Sequence, residues 1–173
     1  EHVFVDYEML PAAVKTDQSD TTDDCQIWSD AEKNVCFDWE AGSKSDTNEA
    51  FSKAKRVIEV DLVNNRVVPT SMETRGAIGS VEPDGRLALH VSCQGVHIMR
   101  RILANQIFNV EENQILVTCD DVGGGFGMKI FLFPEYVCVL FAAKKLGRPV
   151  KWISERSEAF LCDSHGRDHV SNL

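Results

Sequence analysis

Asp120–Lys129 reads DDVGGGFGMK and places four glycines around one phenylalanine. The stretch follows the apolar run Gln114–Cys119 and precedes a helical pattern that begins at Pro134. Glycine costs about 1 kcal/mol inside regular structure, so this density of glycine predicts a loop. Bare backbone also lets a ligand approach closely, because successive amides can point at an anionic or thiolate-bearing group.

Two nucleotide-binding patterns do not fit this glycine loop (residues 123–129). The dinucleotide fingerprint G-x-G-x-x-G matches Gly123 and Gly125, but its last position is occupied by Met128. The phosphate loop needs Ser or Thr after its lysine, and the residue after Lys129 is neither. Two interpretations stay open from the residues alone: a tight strand-to-helix connection, or a ligand cradle.

The residues before the loop predict strands and one helix. Arg75–Glu82 and Leu87–Cys93 are β-rich and are joined by Pro83–Gly85, whose residue types favour a turn, so we expect a hairpin. Gly95–Phe108 has apolar residues three or four apart, which indicates a helix. The apolar run Gln114–Cys119 is a further strand.

The residues after the loop predict a second main helix and another strand. Proline is favoured in the first turn of a helix, so a helix should begin at Pro134, and Gly147 should end it. This helix is apolar on most sides, so we expect it to be buried. Val150–Ile153 begins a strand. The order predicts an α+β fold, a mixed sheet with a strand hairpin packed against two main helices.

The N-terminal third is less regular. Val3–Tyr7 alternates well enough for a short strand. Asp46–Glu49 has the residue types of a capping box, which predicts a short helix ending near Lys55. Arg56–Val68 alternates apolar and polar residues and predicts a strand.

The acidic residues in excess lie in the N-terminal part of the chain. Residues 1–50 contain 13 acidic and 3 basic residues, whereas residues 51–173 contain 14 and 15. We therefore predict three segments: residues 1–14 as the last strand of a preceding domain, 15–45 as an acidic linker, and 46–173 as the main domain. Such an acidic surface argues against a nucleic-acid partner.

The cysteines favour a reducing compartment. None of the six forms a C-x-x-C pair, and Cys93, Cys119 and Cys138 lie in apolar stretches, so we expect buried free thiols and a cytoplasmic protein. No stretch has the roughly 18 apolar residues of a membrane span. The chain begins at Glu1 in what reads as a strand, which suggests a piece of a longer protein.

Several stretches in order resemble the molybdenum hydroxylase family, which includes xanthine dehydrogenase, aldehyde oxidase and aerobic carbon monoxide dehydrogenase. VGGGFGMK resembles the family's glycine-phenylalanine loop. RVVPTSMETR at Arg66–Arg75, SCQGVHIMR at Ser92–Arg100 and GRPVKWISERSE at Gly147–Glu158 agree as well, as does Gly166–His169. The resemblance covers roughly residues 50–173, so 46–173 is expected to be part of a molybdenum-cofactor-binding domain.

The resemblance implies a cofactor and the residues that contact it. The family binds molybdopterin, in some members as its cytosine dinucleotide form, and the dithiolene sulfurs hold the metal, so no direct protein ligand to molybdenum is expected. Gln94 would donate a hydrogen bond to an oxo ligand of the metal. Gly124, Gly125, Phe126 and Gly127 would contact the cofactor, with backbone amides offered by the last two.

The resemblance also implies an activity and partners. The parent would be the large subunit of a hydroxylase that oxidises an aldehyde, a heteroaromatic or carbon monoxide with oxygen from water. It would work with an iron–sulfur subunit and a flavin subunit in an oligomeric assembly. Xanthine-type members have a glutamate where this chain has Ile130, which favours the carbon monoxide dehydrogenase-like branch. The general base lies outside this chain, so the chain alone is expected to be inactive and to hold no cofactor.

Other readings of these residues remain open. The glycine loop could serve a nucleotide- or phosphate-binding module, or the chain could be a non-catalytic homologue that kept the scaffold. Gln94 alone would more often be a cap or a surface residue. Glu73 and Arg75 could form a surface pair of small value or line a pocket mouth. Arg156 and Glu158 could belong to a solvated turn.

Overall fold

The computed structural model describes residues 2–20 and 25–173. Two compact units emerge: one comprises the chain up to Asn65 together with Arg167–Leu173, and the other is Arg66–Gly166. Glu1 and residues 21–24, which belong to the predicted N-terminal strand segment and acidic linker, lie outside the described residues. The predicted segment boundaries at residues 15 and 46 stay predictions.

The first unit contains helix α1, Lys44–Lys53. Its N-cap is Ser43, whose side chain accepts a hydrogen bond from the amide of Asp46 at 3.3 Å. The capping position predicted at Asp46 is therefore wrong by three residues, because an earlier serine caps the same turn. Lys53 and Glu49 form an exposed ion pair one turn apart on this helix.

Strand β1, Asp61–Asn64, pairs antiparallel with the chain's last strand, His169–Asn172. The strand predicted at Arg56–Val68 is thus much shorter than its alternating pattern, and its partner was not predicted. The strand predicted at Val3–Tyr7 is wrong, since these residues pair with no strand in the described part of the chain. A strand exists only where a second one accepts its hydrogen bonds.

The second unit is built on a four-stranded mixed sheet. Strands β2, Gly76–Val81, and β3, Leu87–Val91, form the predicted antiparallel hairpin. Strand β4, Ile115–Thr118, runs parallel to β3 on one side, and strand β5, Val150–Ile153, runs antiparallel to β2 on the other. The mixed sheet of the predicted α+β fold is confirmed.

Two helices complete this unit. Helix α2, Val96–Ile102, continues as a π-helical turn at Leu103–Phe108, and helix α3 is Pro134–Leu146. Helix α3 lies so close to β2 that a Cβ atom on Gly79 would come within 2.6 Å of the carbonyl oxygen of Val139. The largest fully buried apolar side chains of the core are Leu89, Val91, Met99, Leu103, Tyr136 and Leu140.

Helix α3 buries one face only. Phe141 and Leu146 are more than half exposed, so the prediction that this helix is buried on most sides is wrong within this chain. Cys138 on the same helix is also exposed, contrary to its apolar surroundings in sequence. All six cysteines are free thiols, but the predicted burial is correct only for Cys93, since Cys36 and Cys162 are exposed as well. The buried residues of α3 are Tyr136, Val139, Leu140 and Ala143.

The predicted solvated turn around Arg156 is wrong, because helix α4 spans Arg156–Cys162. Glu155 and Glu158 form a reciprocal capping box at its start, which satisfies two amides of the first turn. The guanidinium of Arg156 donates to the backbone carbonyl of Ser71 at 2.8 Å. The described part of the chain has no helix of the length and apolarity that crossing a membrane requires.

The predicted surface pair of Glu73 and Arg75 is also wrong, because Arg75 is completely buried. Its Nε donates to Asp163 at 2.6 Å, and its two terminal nitrogens donate to Glu135 at 3.0 and 3.2 Å. The guanidinium stacks 3.8 Å from the centre of the Phe133 ring. Burial lowers the pKa of Arg75, but the hydrogen bonds to both carboxylates outweigh it and hold the pKa above its ordinary value.

Candidate functional site

The glycine loop follows β4 and ends in a single helical turn, Met128–Ile130. Within the loop, Phe126 has a φ of 52° and Gly127 a φ of 85°. Positive φ costs little for glycine, but a bulky aromatic residue adopts it only where the surroundings impose it. The Phe126 side chain is 74% exposed, so no core packing accounts for this conformation.

Gln94 lies between β3 and α2, directly against the loop. Its side-chain Oε1 accepts a hydrogen bond from the Gly127 amide at 3.0 Å, and its backbone amide donates to the carbonyl of Lys129 at 3.1 Å. A Cβ atom on Gly125 would lie 2.3 Å from the same Oε1. The structure therefore brings together Gln94 and the glycines that the sequence singled out.

Several hydrogen-bond donors of this region have no acceptor. Within the described residues, neither Nε2 of Gln94 nor the backbone amides of Gly124, Gly125 and Phe126 donate to any atom. Consecutive amides that have no partner within the protein are free to donate to the acceptor atoms of a ligand. The amide of Gly127 differs, because it is already engaged with Gln94.

The carboxylate of Glu73 binds the glycine loop at two positions, Gly123 and Lys129. Its Oε2 accepts hydrogen bonds from the Gly123 amide at 2.8 Å, the Lys129 ammonium at 2.8 Å and the Ser92 hydroxyl at 2.5 Å. Burial raises the pKa of Glu73, but the hydrogen bonds from Lys129, Ser92 and Gly123 outweigh it and lower the pKa from 4.5 to about 2. The carboxylate is therefore ionised at any physiological pH.

Sequence reasoning missed the role of Glu73 and of Lys129. Lys129 is completely buried although lysine is rarely found inside proteins. The available signal was its position between two apolar residues, Met128 and Ile130. Lysine in such a position needs a carboxylate partner, and Glu73 is that partner.

The surface beside Gln94 is open to a ligand. Residues 93–98 line a shallow depression of about 420 Å³ at the start of α2. Gln94 is among the residues that line it, and its carboxamide is a neutral donor. No set of three or more His, Cys, Asp or Glu side chains in the described residues is arranged to hold a metal ion. The site thus suits a ligand that carries hydrogen-bond acceptors and needs close approach to bare backbone.

Comparison with known proteins agrees with this geometry. Residues 27–173 match the family model described as molybdopterin cofactor-binding domain. The chain is 34% identical over 137 residues to the carbon monoxide dehydrogenase large chain of Hydrogenophaga pseudoflava, covering 79% of this chain and 17% of that one. It is 38% identical over 132 residues to the nicotine 6-hydroxylase large subunit of Paenarthrobacter nicotinovorans, covering 76% and 16%.

Solved structures have the same fold. A Cu,Mo-CO dehydrogenase in its carbon monoxide reduced state superposes with a TM-score of 0.78 at 33% identity, over 94% of this chain and 22% of that one. Quinoline 2-oxidoreductase from Pseudomonas putida 86 gives 0.63 at 36% identity, over 69% and 15%. The chain therefore spans less than a quarter of the length of each of these relatives.

The residues fit the cofactor that this family is named for. Bare glycine backbone, three free amides and the free amide group of Gln94 provide neutral donors for the acceptor atoms of a pterin and of a metal's oxo ligands. The match over residues 27–173 covers most of the sequence. This chain belongs to the molybdopterin cofactor-binding domain family.

Proposed function

We propose that this chain is part of the large, molybdopterin-binding subunit of a molybdenum hydroxylase in the carbon monoxide dehydrogenase-like branch. The reaction is the oxidative hydroxylation of a small molecule, an aldehyde, a heteroaromatic or carbon monoxide, with oxygen from water. The relatives named for carbon monoxide and nicotine support this branch. Ile130 supports it too, because it occupies the position of the substrate-contacting glutamate in xanthine-type members.

Gln94 and the glycine loop would hold the cofactor. Nε2 of Gln94 is the donor for an oxo ligand, and the Phe126 amide, with those of Gly124 and Gly125, serves the remaining acceptors. Gly127 takes part by binding Oε1 of Gln94, which fixes the direction in which Nε2 points. When bound, the molybdenum cofactor supplies the two-electron redox chemistry, as cofactors generally do.

The types of these residues suit that task. A carboxamide donates a hydrogen bond without placing a charge beside a high-valent metal. The Phe126 side chain is exposed next to its free amide, so it can cover a ligand with an apolar face while its backbone stays accessible. The left-handed backbone at Phe126 is the strained feature that such a role would explain.

The wider assembly follows from the same proposal. The parent subunit works with an iron–sulfur subunit and a flavin subunit in an oligomeric, cytoplasmic complex, and its cofactor is molybdopterin or the cytosine dinucleotide form. The present chain lacks the general base, so alone it is inactive and holds no cofactor. Its six free thiols support a reducing compartment.

The observation that carries the proposal is the set of unsatisfied donors around Gln94, in a chain with this family membership. A nucleotide- or phosphate-binding module would use the same loop, and dinucleotide titration tests it, because a ligand specific to the native state must raise the melting temperature. A shift of several degrees with dinucleotides, and no metal in the protein, would favour that alternative.

The deciding experiment is the molybdenum and pterin content of the full-length protein, purified with its partner subunits from a host that loads other molybdenum enzymes. Near one metal and one pterin per large subunit is expected. Gln94→Ala should then lower kcat/KM at least a hundredfold, whereas Gln106→Ala, an exposed glutamine of the π-helical turn, should not. No metal, or unchanged activity in Gln94→Ala, would contradict the proposal and favour a scaffold homologue.

A further inference from the structure

Both ends of the glycine loop meet at one carboxylate oxygen. Oε2 of Glu73 accepts from the amide of Gly123, where the loop begins, and from the ammonium of Lys129, where it ends, both at 2.8 Å. The seven residues 123–129 and this one oxygen atom therefore form a closed ring. No helix or strand holds this segment before residue 128, so its span depends on side-chain contacts, of which Glu73 provides the one that joins the two ends.

Glu73 also binds the start of the loop through its backbone. Its amide donates to the carbonyl of Gly123 at 3.1 Å, so Glu73 binds both the amide and the carbonyl of Gly123. A Cβ atom on Gly123 would lie 2.5 Å from Cβ of Glu73. The absence of a side chain at 123 is what permits this double contact.

The other end connects Glu73 to Gln94. The ammonium of Lys129 binds Glu73, and the carbonyl of Lys129 accepts the backbone amide of Gln94 at 3.1 Å. The side chain of Gln94 in turn accepts the amide of Gly127. Hydrogen bonds at both ends of Lys129 therefore connect Glu73 to the residue whose carboxamide faces the ligand site, although no hydrogen bond joins Glu73 to that carboxamide.

We propose that Glu73 is the positioning residue of the glycine loop: its carboxylate sets the spacing of Gly123 and Lys129 and thereby the placement of Gln94 and Gly127. What the loop binds rests on the function proposed above, but the positioning itself does not. The same carboxylate also accepts the Ser92 hydroxyl, two residues before Gln94.

This arrangement differs from an ordinary surface ion pair. The Lys129 side chain is completely buried, whereas in the exposed pair of Asp84 and Arg86 both side chains are more than a third exposed. Exposed pairs contribute little and can be lost without consequence. A buried ammonium without its carboxylate is strongly unfavourable, so the loop cannot keep Lys129 in place once Glu73 is removed.

The test separates positioning from charge compensation. The double variant Glu73→Met/Lys129→Met leaves neither partner of this pair as an unpaired buried charge, so the protein can fold, but the acceptor for the Gly123 amide is gone. Hydrogen–deuterium exchange is read residue by residue by mass spectrometry on the full-length protein. We expect exchange at least tenfold faster at the amides of Gly123 and Gly127, the second of which is hydrogen-bonded to Gln94 and to neither substituted side chain.

An unchanged exchange rate at Gly127 would overturn the proposal, because Glu73 would then only neutralise Lys129. If the double variant does not fold, Glu73→Gln/Lys129→Met serves instead: it also leaves no unpaired buried charge, it keeps an acceptor for the Gly123 amide, and it breaks only the link to residue 129, so exchange at Gly127 should again be faster. The matched control is Asp84→Asn/Arg86→Met in the hairpin turn, which should leave both amides as in the wild type.

The exchange measurement needs no bound cofactor, so its outcome is independent of the proposed function. Faster exchange at Gly127 in a protein that lacks molybdenum would support the positioning role and contradict the proposed function. Unchanged exchange in a protein that contains molybdenum would do the reverse.

Discussion

Gly125 and Gln94 are packed so closely that a Cβ atom on Gly125 would lie 2.3 Å from Oε1 and 2.4 Å from Cδ of the glutamine. Gly125 does not have a positive φ, so the backbone conformation would allow other residues at this position. Glycine is required because the side chain of Gln94 occupies the space that a Cβ atom would need. The carboxamide of Gln94 therefore rests on bare backbone while its Oε1 binds Gly127. Position 125 controls where the glutamine points.

We predict that Gly125→Ala displaces Gln94 at little cost in stability. Gln94 is exposed and can turn into solvent, so the free energy of unfolding should fall by only about 1 kcal/mol, the cost of losing its hydrogen bond with the Gly127 amide. Molybdenum content of the full-length protein should nevertheless fall by more than half. Gly166→Ala is the control, since its Cβ would make an ordinary contact of 3.9 Å with Val67. Full metal content in Gly125→Ala would contradict the prediction.

A second glycine should behave in the opposite way. At Gly79 an added Cβ would meet the carbonyl oxygen of Val139 at 2.6 Å, and helix backbone cannot turn aside as a side chain can. Gly79→Ala should therefore lower the free energy of unfolding by about 1–3 kcal/mol, measured by urea denaturation. Gly76→Ala, on the same strand with its nearest contact at 3.5 Å, should be close to neutral. Equal losses in the two variants would refute this account.

The parts of the fold that were predicted correctly depend on local chemistry. The hairpin follows from its turn residues, and α3 follows from Pro134 at its start and Gly147 at its end, both of which the structure confirms. The last strand, His169–Asn172, was missed because its partner, β1, lies more than a hundred residues away in sequence. No local pattern specifies such a pairing.

The burial of two charged side chains was not predicted, again because their partners are distant in sequence. Arg75 and Lys129 look like surface residues in sequence, but their partners lie 60 and 88 residues away for the arginine and 56 residues away for the lysine. A charged side chain is assigned to the surface unless its partner is known. The order of the motifs in the sequence was enough to single out Gln94 and the glycine loop as site residues. The hydrogen bonds between Gln94 and the loop could not be predicted, because they depend on the folded structure.

Removing the buried arginine should destabilise the protein strongly. Arg75→Met leaves the carboxylates of Glu135 and Asp163 without their cation, which typically costs about 3–5 kcal/mol. Arg75→Lys should recover only part of this loss, because an ammonium cannot form the bidentate contact with Glu135. Arg86→Met, which breaks an exposed pair, should change stability by less than about 1 kcal/mol. Urea denaturation of the three variants checks the order, and a mild effect of Arg75→Met would contradict it.

Acid should weaken the fold through Glu73. Its pKa in the folded protein, about 2, lies below its ordinary value of 4.5, so the carboxylate contributes its full stabilisation above pH 4.5 and loses it as the pH falls toward 2. Glu135 acts in the same direction: burial raises its pKa, but Arg75 outweighs this and lowers it. Unfolding free energies measured between pH 6 and pH 2 should therefore decline with acid, and less steeply in Glu73→Met/Lys129→Met than in the wild type. Because the Glu73 side chain is 43% exposed, the difference should also shrink at high salt. Identical slopes in the two proteins would show that Glu73 is not held as an ion in the folded state.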